Sequence, residues 1–248
     1  MFETTVLHIP HASTRIPEDF RAAFLRDPAE ELPYMTDWYT DELFDYPGAK
    51  LVFPVSRLVC DVERFRDDAQ EEMASRGMGV CYTVGHDFTP LRQLNEEERT
   101  AILGDLYDPH HRRLTELTEA ALARRGVCTV IDCHSFSALP LPYEPDQSRD
   151  RPDVCIGTDD FHTPQSLSVA LIDAFRRRGY SVAVNKPYAG SIVPLRYYRR
   201  DPRVRTVMIE LNRGLYLDRD CRKLPSFQNV KRDVAAVLEE IGREGGEL

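Results

Sequence analysis

The sequence predicts an α/β sandwich built around a mainly parallel sheet. Short apolar, β-branched runs of strand length recur along the chain, helical stretches with readable ends lie between them, and the composition is that of an ordinary globular protein.

The strand-like runs are Thr5 to Ile9, Lys50 to Val55, Val127 to Cys133, Val154 to Gly157, Ser181 to Val184 and Arg205 to Leu211. Several are nearly continuous in apolar character, as strands covered on both faces should be. Between them, Ala29 to Asp45 reads as helix. Asn95 to Arg125 is the clearest: Asn95 caps it, Glu96, Glu97 and Glu98 set negative charge at its positive end, and Gly126 stops it. Pro164 to Arg178 carries apolar residues at helical spacing and ends at Gly179, and Lys231 to Ile241 is the last helix. Ser135 to Pro152 and Asn185 to Pro202 read as long loops leaving strand ends, where α/β proteins build their sites.

The 248 residues are 42% hydrophobic and 29% charged, enough for one well-buried core, and residues 1–248 are expected to form a single domain. No run is long enough to span a membrane and no secretory leader opens the chain, so a cytoplasmic protein is expected. A formal charge of −9 argues against a nucleic-acid partner, whose affinity needs basic groups on phosphates. The six cysteines show no paired spacing and read as reduced thiols, most of them small core residues.

The residues with chemistry gather where strands end. His8-Ile9-Pro10-His11 leaves the first strand: His8 lies within it and reads better as a core histidine, whereas His11 stands beyond it as a ligand candidate. Asp132-Cys133-His134-Ser135 ends the third run, with a neutral imidazole of the kind a catalytic metal requires and Asp132 able to orient it. A loop-anchoring His134 is the plainer alternative. Glu210 ends a long apolar run, where a carboxylate is costly unless paired (Arg213 is near in sequence), bound to metal or used as a base. Arg57 and Arg64 bracket a strand-like piece and suit a substrate carboxylate, or else a network with Asp61 and Glu63. Asp37 reads from spacing as a helix cap, and of His110 and His111 on one helix at most one faces the core.

Taken in order, His-Ile-Pro-His-Ala-Ser, Ser-Arg-Leu-Val-Cys-Asp-Val-Glu-Arg, Asp-Cys-His-Ser and Ile-Glu-Leu-Asn-Arg-Gly-Leu-Tyr resemble the motifs of N-formylglutamate amidohydrolases, over roughly residues 5 to 218. Ile-Asp-Cys-His-Ser-Phe-Ser also resembles the segment bearing the last zinc-binding histidine of zinc carboxypeptidases. The resemblance implies a three-layer sandwich with a mixed, mainly parallel sheet and a metal-dependent hydrolase that splits N-formyl-L-glutamate into formate and glutamate, in histidine breakdown. It implies Zn²⁺ or another divalent metal on His11 and His134. The carboxypeptidase pattern His-x-x-Glu is missing, since Thr14 stands at that spacing, so a third ligand comes from elsewhere: Asp37, with Glu63 behind it. Glu210 is implied as the base that takes a proton from water and passes it to the leaving amine, and Arg57 and Arg64 as substrate-binding groups. Where the family commonly reads Asp-x-Asn-Arg, this chain has Asp61-Val62-Glu63-Arg64. The partner implied is a small N-acyl amino acid, with no nucleic acid or membrane, acting on a monomer or small homo-oligomer. The alternatives are an amidohydrolase or carboxypeptidase-like enzyme for another N-acyl amino acid or short peptide, a catalytically inactive binding homologue, and a metal-free hydrolase using Cys133 and His134.

Overall fold

Short, nearly continuous apolar runs form six strands, four of them buried on both faces, in a computed structural model that describes residues 2–244. They are β1 (Thr5–Ile9), β2 (Ala49–Val52), β3 (Cys128–Phe136), β4 (Val154–Gly157), β5 (Val182–Val184) and β6 (Val204–Asn212), in one sheet of order β2-β1-β3-β6-β4-β5. Every pairing is parallel except β4 with β6. The sheet is therefore mixed and mainly parallel, as expected. Pro54 ends β2 early, whereas β3 and β6 run on through His134 and Glu210 because all nine of their residue pairs stay in register.

Helices cover both faces of this sheet. On one, Leu7, Ile9, Ile131, Cys133, Val207 and Ile209 pack against Leu171 and Phe175 of α5 (Gln165–Arg177) and Val234 and Leu238 of α6 (Phe227–Glu244). On the other, Val6, Cys128 and Val130 lie under Leu114 and Ala121 of α4 (Asp108–Arg125). Each fully buried aliphatic side chain contributes about 1.5–3 kcal/mol, so the first face anchors the fold. No described helix is long and apolar enough to cross a membrane.

The long helix expected from Asn95 is interrupted. Asn95 and Glu98 do form a reciprocal capping box over α3 (Glu96–Ile102), and Gly126 ends α4 at φ 75°. Between the two helices Leu103–Tyr107 is a π-turn, just before Pro109. Proline has no N–H for the preceding turn, and widening that turn relieves the clash. The helix expected from Ala29 to Asp45 also breaks, into α1 (Leu32–Met35) and α2 (Thr40–Leu43). Asp37 N–H leaves the helical path to donate to the His11 carbonyl at 3.0 Å, and Tyr39 takes a φ of 63°. The piece from Ser56 to Arg66 is a string of turns rather than a strand, packed with Phe53, Met78, Tyr82 and Leu91 in its own apolar cluster.

Candidate metal and catalytic centre

Strand register assembles the centre. His8 stands opposite Asp132, and His134 opposite Glu210, so the four side chains share the α4 face across β1, β3 and β6. The turn after β1 brings His11 to the same place, the break between α1 and α2 brings Asp37, and the turns after β2 bring Asp61, Glu63, Arg57 and Arg64.

Both imidazoles are fixed by one nitrogen and open at the other. His11 Nε2 is 2.8 Å from Asp61 Oδ1, and His134 Nδ1 is 2.9 Å from Asp37 Oδ2. The remaining atoms, His11 Nδ1 and His134 Nε2, are buried without a hydrogen bond. Glu63 Oε2 faces both, 3.1 Å from His134 Nε2 and 3.9 Å from His11 Nδ1. His11, Glu63 and His134 thus offer ligand atoms all within 4.8 Å of one another, a spacing that can hold a metal ion. A carboxylate on the far nitrogen of each ring is the usual outer support of a metal-bound histidine. The electrostatics agree. Burial alone would strip the proton from His134, but the carboxylates of Glu63, Asp132 and Asp37 outweigh it and raise the imidazole well above its ordinary value. The cavity favours positive charge at that point.

Asp37 lies 3.6 Å from His11 Nδ1 as well as 2.9 Å from His134 Nδ1, so it touches both rings while Glu63 faces the two open nitrogens. Asp61 is the hub of the outer ring. Its Oδ2 accepts from Arg57 at 2.7 Å and from the Tyr82 hydroxyl at 2.6 Å, and stands 3.5 Å from Arg64 Nε. Although its burial opposes ionisation, Arg57 and His11 hold its carboxyl far below the usual range.

Glu210 is buried, and its Oε2 has no hydrogen-bond partner. Burial pushes its carboxyl up to about 8, with Asp37 and Glu63 adding to the rise and His134 and Arg213 opposing it. The salt bridge to Arg213 weighed from the sequence is not made. That guanidinium donates to the carbonyls of Pro33, Tyr34 and Thr36, fastening the turn that carries Asp37.

Three residues gain a part the sequence did not give them. His8 is fully buried with both ring nitrogens partnered, as a core histidine should be, and it also borders the centre: Nδ1 is 2.8 Å from Asp132 Oδ1 and Nε2 is 2.8 Å from His110 Nε2. His110 is kept neutral by burial, with a value near 2. Asp132, expected to orient His134, also serves His8, standing 3.1 Å from His134 Nε2. Only the strand pairing reveals these contacts; no spacing along the chain does. Cys133 points away from His134 into the α5–α6 core, which removes the cysteine–histidine pair considered above. An open cavity of about 510 Å³ adjoins the centre, lined among others by Glu63, Arg64, Tyr107, Asp132, Ile192 and Met208.

Comparison with known proteins shows the family. The chain is 26% identical over 224 residues to an N-formylglutamate deformylase of Pseudomonas aeruginosa, covering 86% of this chain and 82% of that one. Its fold matches the crystal structure of an N-formylglutamate amidohydrolase from Ralstonia eutropha with a TM-score of 0.83, at 26% identity over 98% of this chain and 95% of the other. A gene product of Agrobacterium tumefaciens shares the fold at a TM-score of 0.66 and 21% identity, over 96% of this chain and 92% of that one. The profile of the N-formylglutamate amidohydrolase family spans residues 4–217, carrying both histidines, Glu63 and Glu210 together, and the chain belongs to that family.

Proposed function

We propose that the protein hydrolyses the C–N bond of an N-formyl acidic amino acid, N-formyl-L-glutamate first, to formate and the free amino acid. In this reading a divalent ion, Zn²⁺ by preference, is held by His11 Nδ1, His134 Nε2 and Glu63, while Asp61 and Asp37 fix the two rings. Asp37, expected from the sequence as a ligand, is assigned the orienting part because its carboxylate accepts from the Nδ1 edge of His134, leaving Nε2 open. The single observation that carries the proposal is the pair of buried, unpartnered imidazole nitrogens facing one carboxylate. Two imidazoles and a carboxylate are a catalytic zinc donor set, and three protein ligands leave a position for chemistry. When bound, such an ion supplies Lewis acidity towards an amide carbonyl and makes water a usable nucleophile near neutral pH.

The remaining work falls to the chain. Glu210 sits across the β3–β6 pair from His134, with an unpartnered oxygen, and acts as general base. The carboxyl takes the proton from water and then delivers it to the nitrogen of the departing amino acid. Arg57 and Arg64 are the candidate grips for the substrate's carboxylates or for the developing oxyanion. Asp61 holds them in place, since a guanidinium already aimed loses less freedom when substrate arrives.

A second reading, an amidohydrolase for a bulkier N-acyl amino acid or short peptide, draws on the adjoining cavity, which is larger than a formyl group needs. Release of formate, acetate and succinate from the matching N-acyl glutamates decides between them. Formate release with a kcat/KM at least tenfold above the others is expected; preference for a larger acyl group would overturn the first reading.

A further inference from the structure

The donor atoms on this face of the sheet do not end with His11, Glu63 and His134. His8, Glu63 and Asp132 bring a second set of ligand atoms within 4.8 Å of one another, and Glu63 belongs to both sets. We propose that His8, Asp132 and the second oxygen of Glu63 form a further divalent-cation site, so that the protein carries two ions bridged by the Glu63 carboxylate. The inference rests on the metal centre proposed above.

His8 and Asp132 each have an outer atom tied and an inner atom turned to a common point. His8 Nε2 shares a proton with His110 Nε2 at 2.8 Å, which leaves Nδ1 facing Asp132 Oδ1 at 2.8 Å and Glu63 Oε1 at 3.6 Å. Asp132 Oδ2 accepts from the Ile192 N–H at 3.0 Å, leaving Oδ1 inward. Ligands that each lie about 2 Å from one ion stand roughly 3 Å from each other, and His8 Nδ1 stands 2.8 Å from Asp132 Oδ1 and 3.6 Å from Glu63 Oε1. Glu63 divides its oxygens, Oε1 towards His8 and Oε2 towards His134. His134 Nε2, the nitrogen assigned to the first ion, lies 3.1 Å from Asp132 Oδ1, where the two sets meet.

The cavity lined by Glu63 and Asp132 gives the second site an entrance. Imidazole with carboxylates suits Zn²⁺, Co²⁺ or Mn²⁺, and carboxylate-bridged pairs of such ions lie about 3.5–4 Å apart. The competing arrangement is an ordinary hydrogen bond from His8 Nδ1–H to Asp132, which needs no ion.

Metal counting separates the two. The full chain is stripped with chelator, reloaded with Zn²⁺, desalted and assayed by elemental analysis, with calorimetric titration alongside. About two Zn²⁺ per chain are expected for the wild type, and about one for His8→Ala and for the near-isosteric Asp132→Asn, which keeps the test open should His8→Ala fold poorly. One ion in the wild type and in both variants would sink the second site and leave the first standing; none in the wild type would sink both. With Mn²⁺, electron paramagnetic resonance should show a coupled pair that His8→Ala converts to an isolated ion, and an uncoupled wild-type spectrum would overturn the bridge.

Discussion

Two of the histidine–carboxylate clusters among the described residues are built from the same residue types and to opposite ends. In one, His11, Glu63 and His134 leave two buried nitrogens without partners. In the other, Glu31, His86 and Asp87 also come within ligand spacing, yet their bonds are made internally. Glu31 Oε1 accepts from Arg26 at 2.6 Å, while its Oε2 accepts from the backbone N–H and the ring Nδ1–H of His86, each at 2.9 Å. Asp87 is occupied by Thr89, and Tyr34 stacks on the His86 ring at 3.7 Å. Proximity alone therefore does not mark a metal centre. What sets the His11–Glu63–His134 group apart is that two of its inner atoms stay unsatisfied, because leaving a buried polar atom unpaired costs about 1–3 kcal/mol that a structural cluster would avoid.

The sharpest break between the clusters should come from removing one imidazole. His134→Ala is expected to lose bound metal and activity together, whereas His86→Ala should lose neither. Elemental analysis of the two purified variants checks this, and normal metal content in His134→Ala would take His134 out of the ligand set. Glu210→Gln should lower kcat by a factor of about 100 or more while metal content stays unchanged, since the carboxyl moves protons and binds no ion in this scheme. Near-normal turnover would remove it as the base. Asp37→Asn should be milder: losing the charged support behind His134 weakens metal affinity by about 10–100-fold, read by competition with a chelator. A complete loss of binding would instead make Asp37 a direct ligand.

Those contrasts also show how far the sequence could be read. The nearly continuous apolar runs that became β1, β3 and β6 carry His8, His134 and Glu210 near their ends, and the apolar character of those runs is a local property, visible in one dimension. So is the capping box at Asn95. His11, His134 and Glu210 were legible for the same reason, each being a polar residue stranded at the edge of an apolar run. The part played by His8 was not, because it depends on β1 lying beside β3 in the register that sets His8 opposite Asp132. Asp37 looked like a helix cap because Thr36-Asp37-Trp38 has the local chemistry of one. Its backbone bond to His11, made by residues far apart in sequence, overrides that preference and splits the helix. In the proposed scheme the choice between Asp37 and Glu63 turns on which edge of an imidazole each carboxylate meets, a matter of side-chain direction that spacing does not encode.

The smallest effect belongs to the satisfied cluster, and pH exposes it. Burial would raise the Glu31 carboxyl, but the bonds from His86 and Arg26 outweigh it and hold the group below its ordinary value of 4.5. A depressed folded value means that the unfolded chain takes up the proton first. The stabilisation is therefore whole above about 4.5 and is lost as pH falls through the folded value. Glu31→Gln removes the charge and with it about 2 kcal/mol near neutral pH, leaving metal content and turnover untouched. Denaturant unfolding of both proteins across pH 3 to 7 should show the gap between them closing on the acid side, about in step with protonation of the wild-type carboxylate. A gap that stayed constant with pH would mean that Glu31 stabilises by packing alone, and the distinction between an ion-holding cluster and an ion-paired one would then need another basis than charge.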